Sequence, residues 1–280
     1  MTGSAATVMT SDGEPKASAM ELNDKVILVT GSAAGIGRAI ARRCVAEGAR
    51  VMVHDRDEAG ARRVVAELAP QAALHVDDLA DPEAPARIVA ASVDAFGRLD
   101  ALVNNAASIV RSDLHSTDAA LFDAVMAVNV RAPLLLIQAA LPHLEASHGC
   151  VLNIGSINAY CGEAALLAYS ISKGGLLTLS RNLGDALAYH HGVRVNHFNV
   201  GWVLTENEYR YKMEDGLPED WPDRLPRAVN PSGRLITPEA VAAAAVYWLS
   251  DASRPVSGSV VELEQYPVIG RNPPKEVANG

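Results

Sequence analysis

The sequence predicts a doubly wound α/β fold around one mostly parallel sheet. Three observations lead there. Seven short, apolar runs alternate with helical stretches between Lys25 and Leu263, the order that buries strands under helices on both faces. Turns of glycine or other small residues follow the first and fourth runs, at 31–37 and 104–107, where such a sheet opens to a ligand. No internal repeat and no linker interrupts residues 21–265, and 280 residues with 49% hydrophobic and 20% charged content suit one large globular domain.

Residues 1–20 carry no periodicity and are expected to form a disordered arm. The run KVILVT at 25–30 is the first strand, followed by the turn GSAAGIG and a helix through Arg38, Ile40 and Cys44 to Glu47, stopped by Gly48. The second strand, VMVH, ends at Asp55. The third, Ala72 to Val76, leads into Asp77, Asp78 and Leu79. A helix over about 82–96 precedes the fourth strand, ALV, which ends at Asn104. A long helix over about 118–145 contains Pro133, which lacks the N–H that would serve the carbonyl of Asn129. Either the proline only kinks that helix, or the carbonyl is left free to hold a water.

The fifth strand, Cys150 to Gly155, delivers Ser156 at its end. A helix to about His190 follows, carrying Tyr169 and Lys173. Gly174 and Gly175 inside it each cost about 1 kcal/mol against alanine, which close helix packing, such as that between subunits, would explain. The sixth strand is VRVNHF at 193–198. Residues 206–232, with Pro218, Pro222, Pro226 and Pro231, read as irregular and as a mobile lid over the ligand. A helix from Pro238 to Leu249, the strand SVVEL and a tail at 266–280 complete the chain.

Composition narrows the function. A net charge of -9 without clustered Lys or Arg argues against nucleic acid and against an anionic membrane surface as partners. Cys44, Cys150 and Cys161 have no paired spacing, so they read as buried thiols in a reducing compartment, with no metal site. No secretory signal or membrane span is evident, and the expected location is the cytoplasm.

Two stretches carry chemistry. Gly31, Gly35 and Gly37 let the chain turn tightly and approach a pyrophosphate at the positive end of the following helix. Asp55, eighteen residues on, stands where a carboxylate accepts an adenosine ribose 2′-hydroxyl and repels a 2′-phosphate, which favours NAD over NADP; a plain turn residue is the other reading. Arg56 beside it could stack on adenine or partly accommodate a phosphate. The small residues after Asn104 would let a cofactor pass close, although two adjacent asparagines also cap turns. Tyr169 and Lys173, four apart, share a helix face, so an ammonium would favour the ionised phenol; the same spacing also occurs on solvated helix faces. Ser156 could polarise a substrate oxygen.

Together TGSAAGIG at 30–37, Asp78-Leu79, NNAA at 104–107, Asn129, Ser156, Tyr169-x-x-x-Lys173 and GWVLT at 201–205 resemble the short-chain dehydrogenase/reductase family in order and spacing. The resemblance covers about residues 21–265 and implies a Rossmann-type sheet of seven strands. It implies that Tyr169 is the acid/base, that Ser156 orients the substrate oxygen, that Lys173 lowers the tyrosine pKa and binds the nicotinamide ribose, and that Asn129 holds a water through its carbonyl. It places Gly31, Ser32, Gly35, Ile36 and Gly37 at the pyrophosphate, Asp55 and Arg56 at the adenosine, Asp78 and Leu79 beside adenine, Asn105 and Ala106 along the cofactor, and Val203 and Thr205 at the carboxamide. Three departures stand out: NNAA for NNAG, Val200 where a proline often precedes Gly201, and ELEQYP in place of an aspartate with paired glycines.

The expected activity is NAD(H)-dependent interconversion of a secondary alcohol and a ketone on a small polar substrate, such as a sugar or polyol. Asn158, Glu163, Trp202, Glu206 and Asn207 are the candidate substrate residues. The alternatives are an NADPH-dependent carbonyl or 3-oxoacyl reductase and a non-catalytic dinucleotide-binding scaffold or sensor. The resemblance also implies a homotetramer or homodimer built on the two long helices.

Overall fold

The computed structural model describes residues 21–269; the arm at 1–20 and the end of the tail at 270–280 lie outside the described residues. Seven strands form one sheet: β1 (Val26–Thr30), β2 (Arg50–Asp55), β3 (Ala72–Val76), β4 (Ala101–Asn104), β5 (Cys150–Ser156), β6 (Arg194–Val200) and β7 (Val260–Leu263). Their order is β3-β2-β1-β4-β5-β6-β7, and all six pairings are parallel. The order reverses between β1 and β4, which opens a crevice at the carboxyl ends of those strands.

The period-two geometry of a strand sorts the side chains into two cores. On one face Ile27, Val29, Val51, Val53, Leu152 and Phe198 pack under α1 (Gly35–Ala46) and α9 (Pro238–Leu249), through Ile40, Cys44, Val241 and Leu249. On the other, Val26, Leu28, Met52, Leu102 and Val151 pack under α3 (Ala84–Phe96), α5 (Ala132–Ser147) and α7 (Leu167–His191), through Ile88, Leu136, Leu144 and Leu187. Both faces are covered, which is why the strand runs are apolar throughout rather than alternating. α2 (Glu58–Leu68), α4 (Ala119–Met126) and the single turn α6 (Asn158–Cys161) complete the helices that precede α7 in the chain.

Several expectations change. The long helix around Pro133 is continuous: a π-turn at Ala127–Arg131, in which the Ala132 N–H reaches the Ala127 carbonyl five residues back, joins α4 to α5. The widened turn accommodates a ring that would clash with a regular α-helix. This helix, Ala119–Ser147, is long and apolar enough by composition to cross a membrane, contrary to the sequence expectation, but it lies against the sheet through Leu136, Ile137, Ala140 and Leu144. Residues 206–232 are not irregular throughout. They hold α8 (Glu206–Glu214), capped by the Thr205 hydroxyl, and a 3₁₀ turn at Trp221–Arg224. A Cβ on Gly175 would meet Val130 of the π-turn at 3.4 Å, an ordinary contact, so the packing of α7 on this turn does not require the glycine. Cys44 and Cys150 are buried as expected, whereas Cys161 is exposed because α6 is a surface turn.

Candidate active site

The crevice is assembled from the carboxyl ends of β1, β4, β5 and β6. On the β1 side, Gly31 has φ +65°, and a Cβ on it would lie 2.7 Å from the Ala106 Cα. A Cβ on Gly37 would lie 2.2 Å from the Gly31 carbonyl oxygen and 2.5 Å from Asn105 Nδ2. Only glycine permits this fold of the loop. Asn105 Nδ2 donates to the carbonyls of Thr30 (2.9 Å) and Gly31 (3.0 Å), while Thr30 Oγ1 accepts the N–H groups of Asn105 and Ala106, both at 3.1 Å. The β1 and β4 ends are thereby fixed as one surface.

The residues fit a dinucleotide. α1 begins at Gly35 with no acidic residue in its first turn and no side-chain cap at Ala34, so its leading N–H groups are offered to an anion. Asp55 closes the far side, its Oδ2 accepting the Ala33 N–H (3.0 Å) and its Oδ1 the Asp57 N–H (3.0 Å). Arg56 is exposed beside it, Asp78 is exposed after β3 and Leu79 is buried against the sheet. Val203 is buried, and the Thr205 methyl packs where a Gly35 Cβ would be 3.3 Å away, which brings the loop after β6 over the glycine turn with Ile36 alongside. Ser32 differs from the rest: its hydroxyl donates to the Val29 carbonyl (2.9 Å) and accepts the His54 N–H (3.1 Å), so it ties β1 to β2 and faces inward.

Across the crevice, Tyr169 and Lys173 rise from one face of α7, both buried. The Lys173 ammonium lies 5.5 Å from the centre of the Tyr169 ring and donates to the Ile154 carbonyl at 2.9 Å. Ser156 Oγ, close enough to Tyr169 to lower the phenol's pKa, accepts the Asn158 N–H at 3.2 Å. Burial decides both titrations. It pushes the Tyr169 phenol up to about 12, against the lowering effect of Ser156 and with a further rise from the Glu163 carboxylate. It pulls Lys173 down to about 8. The neighbouring amine, expected to lower the phenol, is not among the influences on it; desolvation, which disfavours each charged form, is the largest. At neutral pH the phenol holds its proton and the amine is an ammonium.

Asn129 sits in the π-turn with its side chain fully engaged. Oδ1 accepts the Ser108 N–H (2.7 Å), and Nδ2 donates to the Ser108 carbonyl (3.0 Å) and to Ser172 Oγ (2.9 Å). It fastens the loop after β4 to the helix of Tyr169. Of the substrate candidates, Asn158 and Glu163 stand together, Nδ2 to Oε2 at 3.5 Å, near Ser156 and Tyr169. Trp202 stacks on Trp221 at 5.6 Å and donates its indole N–H to Glu208 (2.8 Å). Glu206 and Asn207 do not join them: Glu206 forms an ion pair with Arg38 of α1, and Asn207 accepts from Arg210 on the exposed side of α8. The helical period turns Glu208, Tyr209 and Lys212 inward instead.

A buried polar chain behind β5 went unread in the sequence. Asn104 donates to Asn153 (2.8 Å) and Asn153 to Ser180 (2.8 Å), which pairs with His197 (2.8 Å); His197 in turn meets Asn199 (2.8 Å). Burial pulls His197 down to about 4, so the ring is neutral. It occupies the place where a Gly155 side chain would be, with Nε2 2.0 Å from that Cβ position. The signal was available as polar residues at inward positions of β5 and β6. Among the described residues no cluster of three or more His, Cys, Asp or Glu is placed to hold a metal.

The chain is similar in sequence and fold to known proteins. The family model described as enoyl-(acyl carrier protein) reductase matches residues 31–264. The 2-(S)-hydroxypropyl-CoM dehydrogenase 3 of Xanthobacter autotrophicus is 37% identical over 87% of this chain and 96% of its own. The D-threitol dehydrogenase of Mycolicibacterium smegmatis is 36% identical over 87% of this chain and 92% of its own. Among solved structures, a 3-ketoacyl-(acyl-carrier-protein) reductase from Brucella melitensis complexed with NADH superposes with a TM-score of 0.77 at 28% identity, covering 86% of this chain and 97% of its own. A protein from Beutenbergia cavernae assigned as an NAD(P)-dependent gluconate 5-dehydrogenase, with bound NADP, gives 0.78 at 31%, covering 88% and 97%.

Proposed function

The chain belongs to the short-chain dehydrogenase/reductase family, and on that footing we propose that it interconverts a secondary alcohol and a ketone on a neutral sugar or polyol, with NAD as its preferred dinucleotide. It is an oxidoreductase acting on alcohol groups. The observation that carries the reading is the hydroxyl pair of Tyr169 and Ser156, set beside the buried ammonium of Lys173 and across the crevice from the glycine turn.

A bound nicotinamide supplies the hydride in reduction and accepts it in oxidation. Gly31, Gly35, Ile36 and Gly37 hold its pyrophosphate, with the main chain of Ser32. Asp55 and Arg56 hold the adenosine, Asp78 and Leu79 flank the adenine, and Asn105, Ala106, Val203 and Thr205 line the path to the nicotinamide. Ser156 donates to the substrate oxygen. Tyr169 gives that oxygen a proton in reduction and takes it back in oxidation. Lys173 keeps two N–H donors beyond the one spent on Ile154, enough for a ribose hydroxyl and a water. The main-chain carbonyl of Asn129, deprived of its usual donor by Pro133, receives that water and extends the proton path.

Asn158 and Glu163 place a donor and a charged acceptor beside the reacting oxygen. Together they satisfy substrate hydroxyls and disfavour carboxylates and phosphates. The 206–232 segment is the lid over this site. The side of Ala119–Ser147 turned from the sheet, together with exposed Ile171 and Tyr189 on α7, is covered by a second copy of the chain in a dimer or tetramer. Three free thiols fit a cytoplasmic setting. The test is a substrate panel. Neutral polyols and aldoses should reduce NAD faster than NADP, and faster than hydroxy acids do; more rapid reduction of 3-oxoacyl thioesters with NADPH would overturn the substrate class.

A further inference from the structure

β7 ends at Leu263, and the two residues after it reach in different directions. Glu264 fills the space beside Gly201, where a Cβ would lie 1.8 Å from its Oε2. Its Oε2 accepts the Trp202 N–H at 3.1 Å and its Oε1 accepts the Gln265 N–H at 2.6 Å. The carboxylate thus fixes the entry to the loop whose next members are Val203 and Thr205. Gln265 holds the return of the 206–232 segment. Its Oε1 accepts both the N–H (3.0 Å) and the hydroxyl (2.7 Å) of Ser232, and its Nε2 donates to buried Asn230 Oδ1 (3.1 Å) and to the Arg234 carbonyl (3.1 Å).

The two segments so held meet again a few residues on. Val203 bridges Ile236, and the Leu204 N–H donates to the Ile236 carbonyl at 2.8 Å. Trp202 is also tied to the lid through Glu208 and by stacking on Trp221. Contacts therefore run in a closed circuit from the cofactor-facing loop through residues 264–265 to the lid and back. A strand-end cap would need only one of these arms, and Ser232 is exposed, where hydrogen bonds add little to stability.

We propose that Glu264 and Gln265 are positioning residues that couple the 201–205 loop to the lid, so that seating the dinucleotide and closing over the substrate are a single adjustment. The proposal rests on the dehydrogenase reading and adds to it two residues outside the catalytic and dinucleotide sets named above. The full chain is titrated with NADH by fluorescence and assayed for KM of its best alcohol, as parent, Glu264→Gln, Gln265→Ala and the double variant. A lost charge-assisted hydrogen bond corresponds to roughly tenfold or more in affinity. Glu264→Gln should weaken NADH binding about tenfold, and Gln265→Ala should raise substrate KM by a similar factor and also weaken NADH binding by more than about twofold, as coupling requires. The double variant should lose less than the product of the two effects. A parent that binds NADH, with variants that bind it and turn over substrate as the parent does, overturns the coupling alone, even if they melt earlier. A parent that binds no dinucleotide overturns the dehydrogenase reading and the coupling with it. Should Glu264→Gln fail to fold, Gln265→Ala decides by itself: an unchanged KM refutes the proposal.

Discussion

Replacing Lys173 by methionine should make the protein more stable and inactive at once. The side chain is 3% exposed, and burial lowers its pKa from 10.5 to about 8, so holding the ammonium in the fold costs about 3 kcal/mol at any pH below 8. Methionine keeps the length of the stem without the charge. It leaves the Ile154 carbonyl without its side-chain donor, which returns about 1 kcal/mol, for a net gain of about 2 kcal/mol near neutrality. The sign follows from proton counts. Between about pH 8 and 10.5 the unfolded chain holds the lysine proton and the folded chain does not, so the parent's stability rises with pH there while the variant lacks this contribution. Urea unfolding followed by tryptophan fluorescence, at about pH 6.5 and about pH 9.5 and at equal protein concentration, should show the parent gaining roughly 2 kcal/mol on the variant. An equal stability difference at both pH values would refute the claim that this ammonium is desolvated, and with it the account of how the site is charged.

Other perturbations follow from the same geometry. Gly37→Ala places a methyl 2.2 Å from the Gly31 carbonyl oxygen, and NADH binding should fall at least about tenfold by titration. Asp55→Ala removes the charge that opposes a 2′-phosphate and should shift the NAD-to-NADP ratio of kcat/KM toward NADP by about tenfold or more. With Tyr169 as the proposed base in oxidation and its phenol raised to about 12, the rate of alcohol oxidation should climb with pH through the alkaline range. Ketone reduction, which needs the protonated phenol, should be flat through neutrality. Glu163→Gln removes a carboxylate that raises that phenol and should move the oxidation profile to lower pH, most visibly at low salt; an unmoved profile would show that Glu163 does not face the site.

Much of this was legible in the sequence, for identifiable reasons. The strands announced themselves because a parallel sheet covered on both faces needs unbroken apolar runs, and the runs ending at Thr30, Asp55 and Ser156 deliver their last residues to the crevice. Gly31 and Gly37 could be read because only glycine tolerates the loop they form. α8 could not. ENEYRYKME has no apolar stripe, and what holds it helical is the Thr205 cap and the contact of Glu208 with Trp202, which are tertiary facts. Pro133 was visible but its consequence, a π-turn, depends on neighbours that let the helix widen. The pKa directions of Tyr169 and Lys173 were not legible because spacing reveals proximity and not burial, and burial is the larger effect. Glu264 and Gln265 stood out only as a departure at the chain's end, since their partners lie about thirty and sixty residues away.

The central claim is that the Tyr169 hydroxyl moves the substrate proton. Its most direct measurement mixes an alcohol substrate with NAD-loaded parent and NAD-loaded Tyr169→Phe and follows NADH absorbance through the first turnover. The expected result is a rate at least about a hundredfold lower for the variant with cofactor affinity intact. A first turnover equal to the parent's would show that the proton travels by another group.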